Sequence, residues 1–227
     1  MILGLISDIH GNAPALDIAL KHMKPRVDKI LFAGDFAGYY PFVNECIEMM
    51  PADILGVRGN HDEILINYIR TGQLPGDYLK KYGSALKRCA DSLSETSIRM
   101  LSGLPLRQDI KIDEISIMLV HGSPWDPLNG RVYPDFSDWE RFNNYHRDIV
   151  ILGHTHYSLK KKIGSTLILN PGSVGQTRDK KKGVCFAELN ISQDVVHFYQ
   201  IPYNPHQVIE DARIHDPENT YLVKVLK

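Results

Sequence analysis

Five short apolar runs in this chain stop at residues that can ligate a cation: Asp8 and His10, Asp35, Asn60 and His61, His121, and His154 with His156. Neutral imidazole suits zinc, iron, nickel and similar ions. A carboxylate has two oxygens and can span two ions, and an amide oxygen ligates without adding charge. The run Asp148–Leu152 ends in Gly153-His154-Thr155-His156. If it continues as a strand, His154 and His156 project to the same face, and the same period places Asp8 and His10 together. Gly153 leaves room for a turn or a close approach. Five of the ten histidines occupy these run ends; His22, His146, His197, His206 and His215 have no such context.

The elements that must deliver these residues follow from the pattern between them. Asp8, Asp35 and Asn60 recur at intervals of roughly 25 residues, which suits consecutive βαβ units whose parallel strands finish at one sheet edge, where ligands gather. Asn12 is placed to cap a helix with Pro14 in its first turn, an apolar stripe of Leu16, Ala19, Leu20 and Met23, and Pro25 as its stop. A second helix is expected over 42–50. Residues from about 63 to 104 change character, with helical stripes at 64–69 and 78–91 and another helix opening at Ser94, and form a helical insert covering one side of the site. Strands are expected at 109–113, 115–120, 157–163, 166–169, 183–189 and 195–201, with a helix around 136–145. The segment from Pro202 onward is assigned no element.

The bulk numbers bound the answer. With 227 residues and 43% apolar composition the chain is expected to form one domain, 1–227, with a real core. A net charge of −1 argues against nucleic acid or an anionic membrane as partner, and the apolar stretches are strand-sized. Three scattered cysteines fit a reducing cytoplasm.

Taken together, D-x-H, G-D, G-N-H-D, H-G and G-H-T-H in this order resemble the calcineurin-like metallophosphoesterase superfamily over Gly4 to roughly Gly175. GDFAGYY, RGNHD, HGSP and NPGSVGQTRD look most like its small bacterial and archaeal phosphodiesterase branch, which includes hydrolases of dinucleoside polyphosphates. The resemblance implies an α/β (α+β) fold of two packed mixed sheets forming a sandwich flanked by helices. It implies two divalent ions, of manganese, iron, zinc, nickel or cobalt. Asp8, His10 and His156 would hold one, Asn60, His121 and His154 the other, with Asp35 bridging. The expected activity is hydrolysis of a phosphodiester or phosphoanhydride of a nucleotide or another small phosphate ester by metal-activated hydroxide; self-association is left open.

His61 is the candidate general acid. Asp62 either orients it or caps the following helix. Arg58 is read as a phosphate contact or a solvent-facing arginine, and Arg178 as a second anion contact. Lys160–Lys162 and Lys180–Lys182 are read as a basic rim or, preferably, a solvated face. Trp125, Tyr133, Phe136 and Trp139 are read as a base-stacking surface or, preferably, core. Asn170-Pro171-Gly172-Ser173 resembles a family loop near the site or, preferably, is a tight turn between strands. Gly34-Asp35 is not followed by the arginine typical of the phosphoprotein phosphatases. A phosphomonoesterase or phosphoprotein phosphatase, and a non-catalytic scaffold on the same fold, are the alternatives.

Overall fold

A computed structural model describes residues 1–51, 53–179 and 182–227. Ten strands follow in chain order: β1 (Ile2–Ile6), β2 (Lys29–Phe32), β3 (Leu55–Gly56), β4 (Arg107–Ile112), β5 (Ile115–Val120), β6 (Ile149–Ile151), β7 (Ser158–Ile163), β8 (Thr166–Pro171), β9 (Val184–Asn190) and β10 (Val195–Ile201). They form two mixed five-stranded sheets, β10-β9-β1-β2-β3 and β4-β5-β6-β8-β7. Within them β1, β2 and β3 run parallel, as do β5, β6 and β8, so each sheet presents a row of carboxyl ends.

Alternation decides which side chains meet between the sheets. Leu3 and Leu5 of β1 and Leu31 of β2 pack against Ile117 and Leu119 of β5, Ile149 and Ile151 of β6, and Leu167 and Leu169 of β8. The opposite face of the first sheet packs on helices α1 (Ala13–Met23) and α2 (Val43–Met49), and on the helical segment α3 (Asn60–Thr71), α4 (Tyr78–Tyr82), α5 (Ala85–Ala90) and α6 (Glu95–Gly103). Asn12 caps α1 as expected, its Oδ1 accepting from Ala15 N at 3.3 Å.

Three expectations differ from the fold. The helix over 78–91 is two helices, because Gly83 takes φ +78° and a side chain there would press on Leu222 and Asp216; Asp216 in turn accepts from the Ser84 amide and hydroxyl at the start of α5. The helix around 136–145 is a 3-10 helix, Trp139–Tyr145. The terminal segment forms α7 (His206–His215) and α8 (Tyr221–Lys224), whose Val208, Ile209, Ala212 and Leu222 bury against Tyr39 and Tyr40. Among the described residues no helix is long and apolar enough to cross a membrane.

Candidate metal centre

The carboxyl ends of both sheets converge, but not as continued strands. β1 stops at Ile6 and β6 at Ile151, and Asp8, His10, Asp35, His154 and His156 all adopt left-handed φ angles of 53–67°. The extended period-two geometry expected for Asp8/His10 and His154/His156 is therefore replaced by alternating left-handed residues. Each such non-glycine residue costs of order 1–3 kcal/mol and persists where its surroundings over-determine it. Here the surroundings are a lattice of backbone bonds: Asp8 N to Gly34 O, Ile9 N and His10 N to Asp35 O, Gly11 N to Phe36 O, Val174 N to Ser7 O, Gly175 N to Asp8 O and Gly153 N to His121 O. Two glycines permit the approach. A Cβ on Gly153 would fall 2.1 Å from Ser7 Oγ, and one on Gly59 2.0 Å from Asp35 Oδ1.

The turn Asn170–Ser173 does more than reverse the chain. Asn170 Nδ2 donates to Gly153 O at 2.7 Å, and Ser173 Oγ donates to Asp8 O at 2.7 Å, which ties the Asp8 and His154 loops together.

Around Asp8 the atoms facing one another are all acceptors. His10 Nδ1 donates to Ala37 O (2.8 Å) and His156 Nδ1 to Gln176 O (2.6 Å), since a carbonyl can only accept. With Nδ1 donating, the Nε2 of each ring faces inward and offers a lone pair when the ring is neutral; the two nitrogens stand 3.0 Å apart. Asp8 Oδ1 completes the group at 3.3 Å from His156 Nε2 and 3.7 Å from His10 Nε2; it is buried with no hydrogen-bond partner among the described residues. Burial and the neighbouring His156 hold the His10 imidazole well below its ordinary pKa, hence neutral. Burial opposes the charge on Asp8, and only positive charge beside it, on His156 first, holds its pKa low; with the rings neutral, a cation would have to supply that charge. A buried carboxylate oxygen without a donor, facing two imidazole nitrogens, fits a divalent cation.

The second group surrounds His121, whose Nδ1 donates to Ala33 O (2.8 Å). Its Nε2 lies 3.0 Å from Asn60 Oδ1, 3.2 Å from Asp35 Oδ2 and 3.2 Å from His154 Nδ1. Burial disfavours charge on His121, yet Asp35 outweighs it and pushes the pKa up to about 9; a proton there occupies the place a cation would take. Asp35 lies between the groups, its Oδ2 also 4.0 Å from His10 Nε2.

His61 lies beside the cluster, its ring centroid 5.2 Å from that of His10. Its Nδ1 bonds the Tyr78 hydroxyl at 2.7 Å, and burial lowers its pKa. Asp62 does not orient it. Both Asp62 oxygens accept backbone amides, from Asp35 and Gly59 and from Ala37, so the carboxylate caps α3 and clamps the Asp35 loop. Burial, then the Asp35 charge, raises its pKa to about 7. Arg58 pairs with Glu63 at 3.2 Å and is not among the residues lining the cleft, which favours the second of its two readings, an arginine without a substrate contact.

Over the cluster opens a cleft of about 280 Å³, lined among others by Tyr39, Tyr78, Lys81, Tyr82, Arg131, Tyr133 and Arg178. Arg178, read from the sequence as an anion contact, is one of these lining residues. Trp125, Phe136 and Trp139 pack against Phe142 in the core beneath the second sheet, leaving Tyr133 alone of that loop's aromatics in the cleft. Lys160–Lys162 are an exposed face of β7, Lys162 pairing with Asp194; Lys180 and Lys181 lie outside the described residues. Sequence reasoning missed Arg131 and Tyr78. Arg131 carries no run-end signal, and Tyr78 sits in a helical stripe that reads as core.

The family model described as the calcineurin-like phosphoesterase superfamily domain matches residues 1–194. A relative in Methanocaldococcus jannaschii, an uncharacterized protein, is 31% identical over 217 residues, 86% of each chain. A phosphodiesterase of the same archaeon is 24% identical over 173 residues, 76% of this chain and 83% of that one. The crystal structure of a metallophosphoesterase from Sphaerobacter thermophilus superposes with a TM-score of 0.81 at 26% identity, covering 100% of this chain and 98% of that one.

Proposed function

The chain belongs to the calcineurin-like phosphoesterase superfamily, and from that premise we propose that it is a two-metal hydrolase of a small phosphodiester or phosphoanhydride, such as that of a nucleotide. The observation that carries the reading is Asp8 Oδ1, buried without a hydrogen-bond partner among the described residues, facing His10 Nε2 and His156 Nε2, whose rings give their Nδ1 to backbone carbonyls. Asp8, His10 and His156 would hold one ion and Asn60, His121 and His154 the other, with Asp35 placed between them. Divalent ions there supply Lewis acidity toward the phosphoryl group and lower the pKa of water; the permissive nitrogen and oxygen donor set admits manganese, iron, zinc, nickel or cobalt.

The protein's own residues do the rest. Backbone bonds from the rings to Ala37, Gln176 and Ala33 fix the tautomers of His10, His156 and His121, so no reorganisation is needed when charge develops. His61, held by Tyr78 through Nδ1, has no partner for Nε2 among the described residues and is the group that protonates the leaving oxygen. Arg178 binds substrate oxygens. A phosphodiesterase relative supports diesters over monoesters. The three buried, unpaired cysteines accord with the cytoplasm.

A phosphate-release screen with added manganese, across dinucleoside polyphosphates, cyclic nucleotides and simple diesters, tests the reading. Bis-p-nitrophenyl phosphate should turn over faster than p-nitrophenyl phosphate. A strong monoester preference would make the protein a phosphomonoesterase, and failure on the whole panel a scaffold.

A further inference from the structure

The chain has eleven arginines, and the way each is compensated singles out two. Arg26, Arg58, Arg88, Arg99, Arg107, Arg147 and Arg213 each pair with a carboxylate. Arg70 donates to Asn67, and Arg141 lies 4.2 Å over the Trp125 ring. The remaining two, Arg131 and Arg178, have no carboxylate partner among the described residues, and both line the cleft over the cluster. The other basic side chain in that lining, Lys81, is neutralised by Asp77 at 2.9 Å.

The two are held differently. Arg131 is exposed and touches the cluster itself, its Nε donating to His154 Nε2 at 3.4 Å. That contact is long and needs a lone pair on Nε2. A His154 ring that gave its Nδ1 lone pair to a cation would carry its proton on Nε2 and could not accept from Arg131. Arg178 is half-buried and stands one side chain back. Its Nη2 donates to the Tyr39 hydroxyl at 3.3 Å, and the Tyr39 ring meets His10 edge-on at 4.7 Å between centroids. A phenol is neutral near pH 7, so Arg178 keeps its whole charge. An uncompensated, partly buried guanidinium costs desolvation unless an anion meets it.

We infer that Arg131 and Arg178 form a two-point anion clamp for a substrate with two adjacent phosphoryl groups. Arg131 grips the group over the cluster, and Arg178 grips its neighbour beyond Tyr39. The substrate class is then a nucleotide with a phosphoanhydride link rather than a simple diester. This rests on the phosphoesterase reading for the reaction, but the binding claim is separable from it.

The test compares AMP with α,β-methylene-ADP by calorimetry on full-length, manganese-replete protein; the common adenosine cancels in the ratio. Wild type should bind the diphosphate about tenfold or more tighter, the worth of one charge-assisted contact. Arg178→Gln should bring the two ligands to within about twofold while leaving AMP affinity in place, and Arg131→Gln should weaken both by the same factor. Should Arg178→Gln not fold, Arg178→Lys reads out the same loss in smaller measure. Equal wild-type affinities, binding of neither ligand, or an Arg178 variant that weakens both ligands alike would overturn the clamp. Turnover of bis-p-nitrophenyl phosphate in the same preparation reports on the phosphoesterase reading alone, so the two can fail separately.

Discussion

The floor of the cleft and its rim are built on opposite principles. On the floor, the seven candidate ligands leave the chain at strand ends, five of them in left-handed backbone, and every loop that carries them is bonded to another. Strain of that size is retained only where several contacts hold each residue in place. On the rim, Arg131 has one long contact and Arg178 hydroxyl partners. The floor fixes where cations sit and has no freedom to lose. The rim adapts to what enters. Substitutions on the floor should therefore abolish chemistry, and those on the rim should change which ligand is preferred.

The contrast breaks first at Asp35, the carboxylate between the two groups. Asp35→Asn removes a buried charge that faces His121 and His10, and should lower turnover by on the order of 10³-fold, the several kcal/mol that metal-assisted charge stabilisation is worth. Bound metal measured on purified protein should fall with it. Full metal content and full activity in this variant would mean that the floor is not the catalytic centre. His61→Ala comes next: metal content should persist, while turnover of esters with poor leaving groups drops by about 10²–10⁴-fold. Equal slowing of good and poor leaving groups would remove His61 as the proton donor.

The same contrast explains what the residues disclosed before the fold was known. Asp8, Asp35, Asn60, His121 and His154 were legible because a run of buried apolar residues must end somewhere, and a polar residue at that end is visible against it. The left-handed turns were not, because Asp8 and His154 owe them to partners far along the chain, Gly34, Gly175 and Asp8. Asp62 had two readings, an orienter of His61 or a cap for the following helix, and its carboxylate folds back onto the amides of residues 35, 37 and 59; adjacency in sequence did not decide direction in space. α7 was missed although Val208, Ile209 and Ala212 form an apolar stripe, since prolines and histidines on either side masked it. Arg131 has no local signature at all. Its significance lies in lacking the acid that most other arginines in the chain possess, which only the assembled structure reveals.

Tyr78 tests the boundary between floor and rim. It is buried on α4, and its hydroxyl holds His61 Nδ1. Tyr78→Phe keeps the ring and deletes one hydrogen bond, worth about 1 kcal/mol, so kcat should fall about fivefold with KM unchanged. A change confined to KM would place Tyr78 with the rim instead.

Lys81 supplies the smallest expected effect. It lines the same cleft as Arg131 and Arg178, so a rim that worked by total positive charge would need it as much as either arginine. Its ammonium, however, is already matched by Asp77 one turn earlier on an exposed surface, where such pairs contribute little and are screened by salt. Lys81→Met should therefore move KM for a nucleotide substrate by less than about twofold, within what an exposed ion pair is worth. A loss comparable to that of Arg178→Gln would show that charge density, not the absence of a partner, selects the anion-binding groups, and the distinction drawn between compensated and uncompensated cations would fall with it.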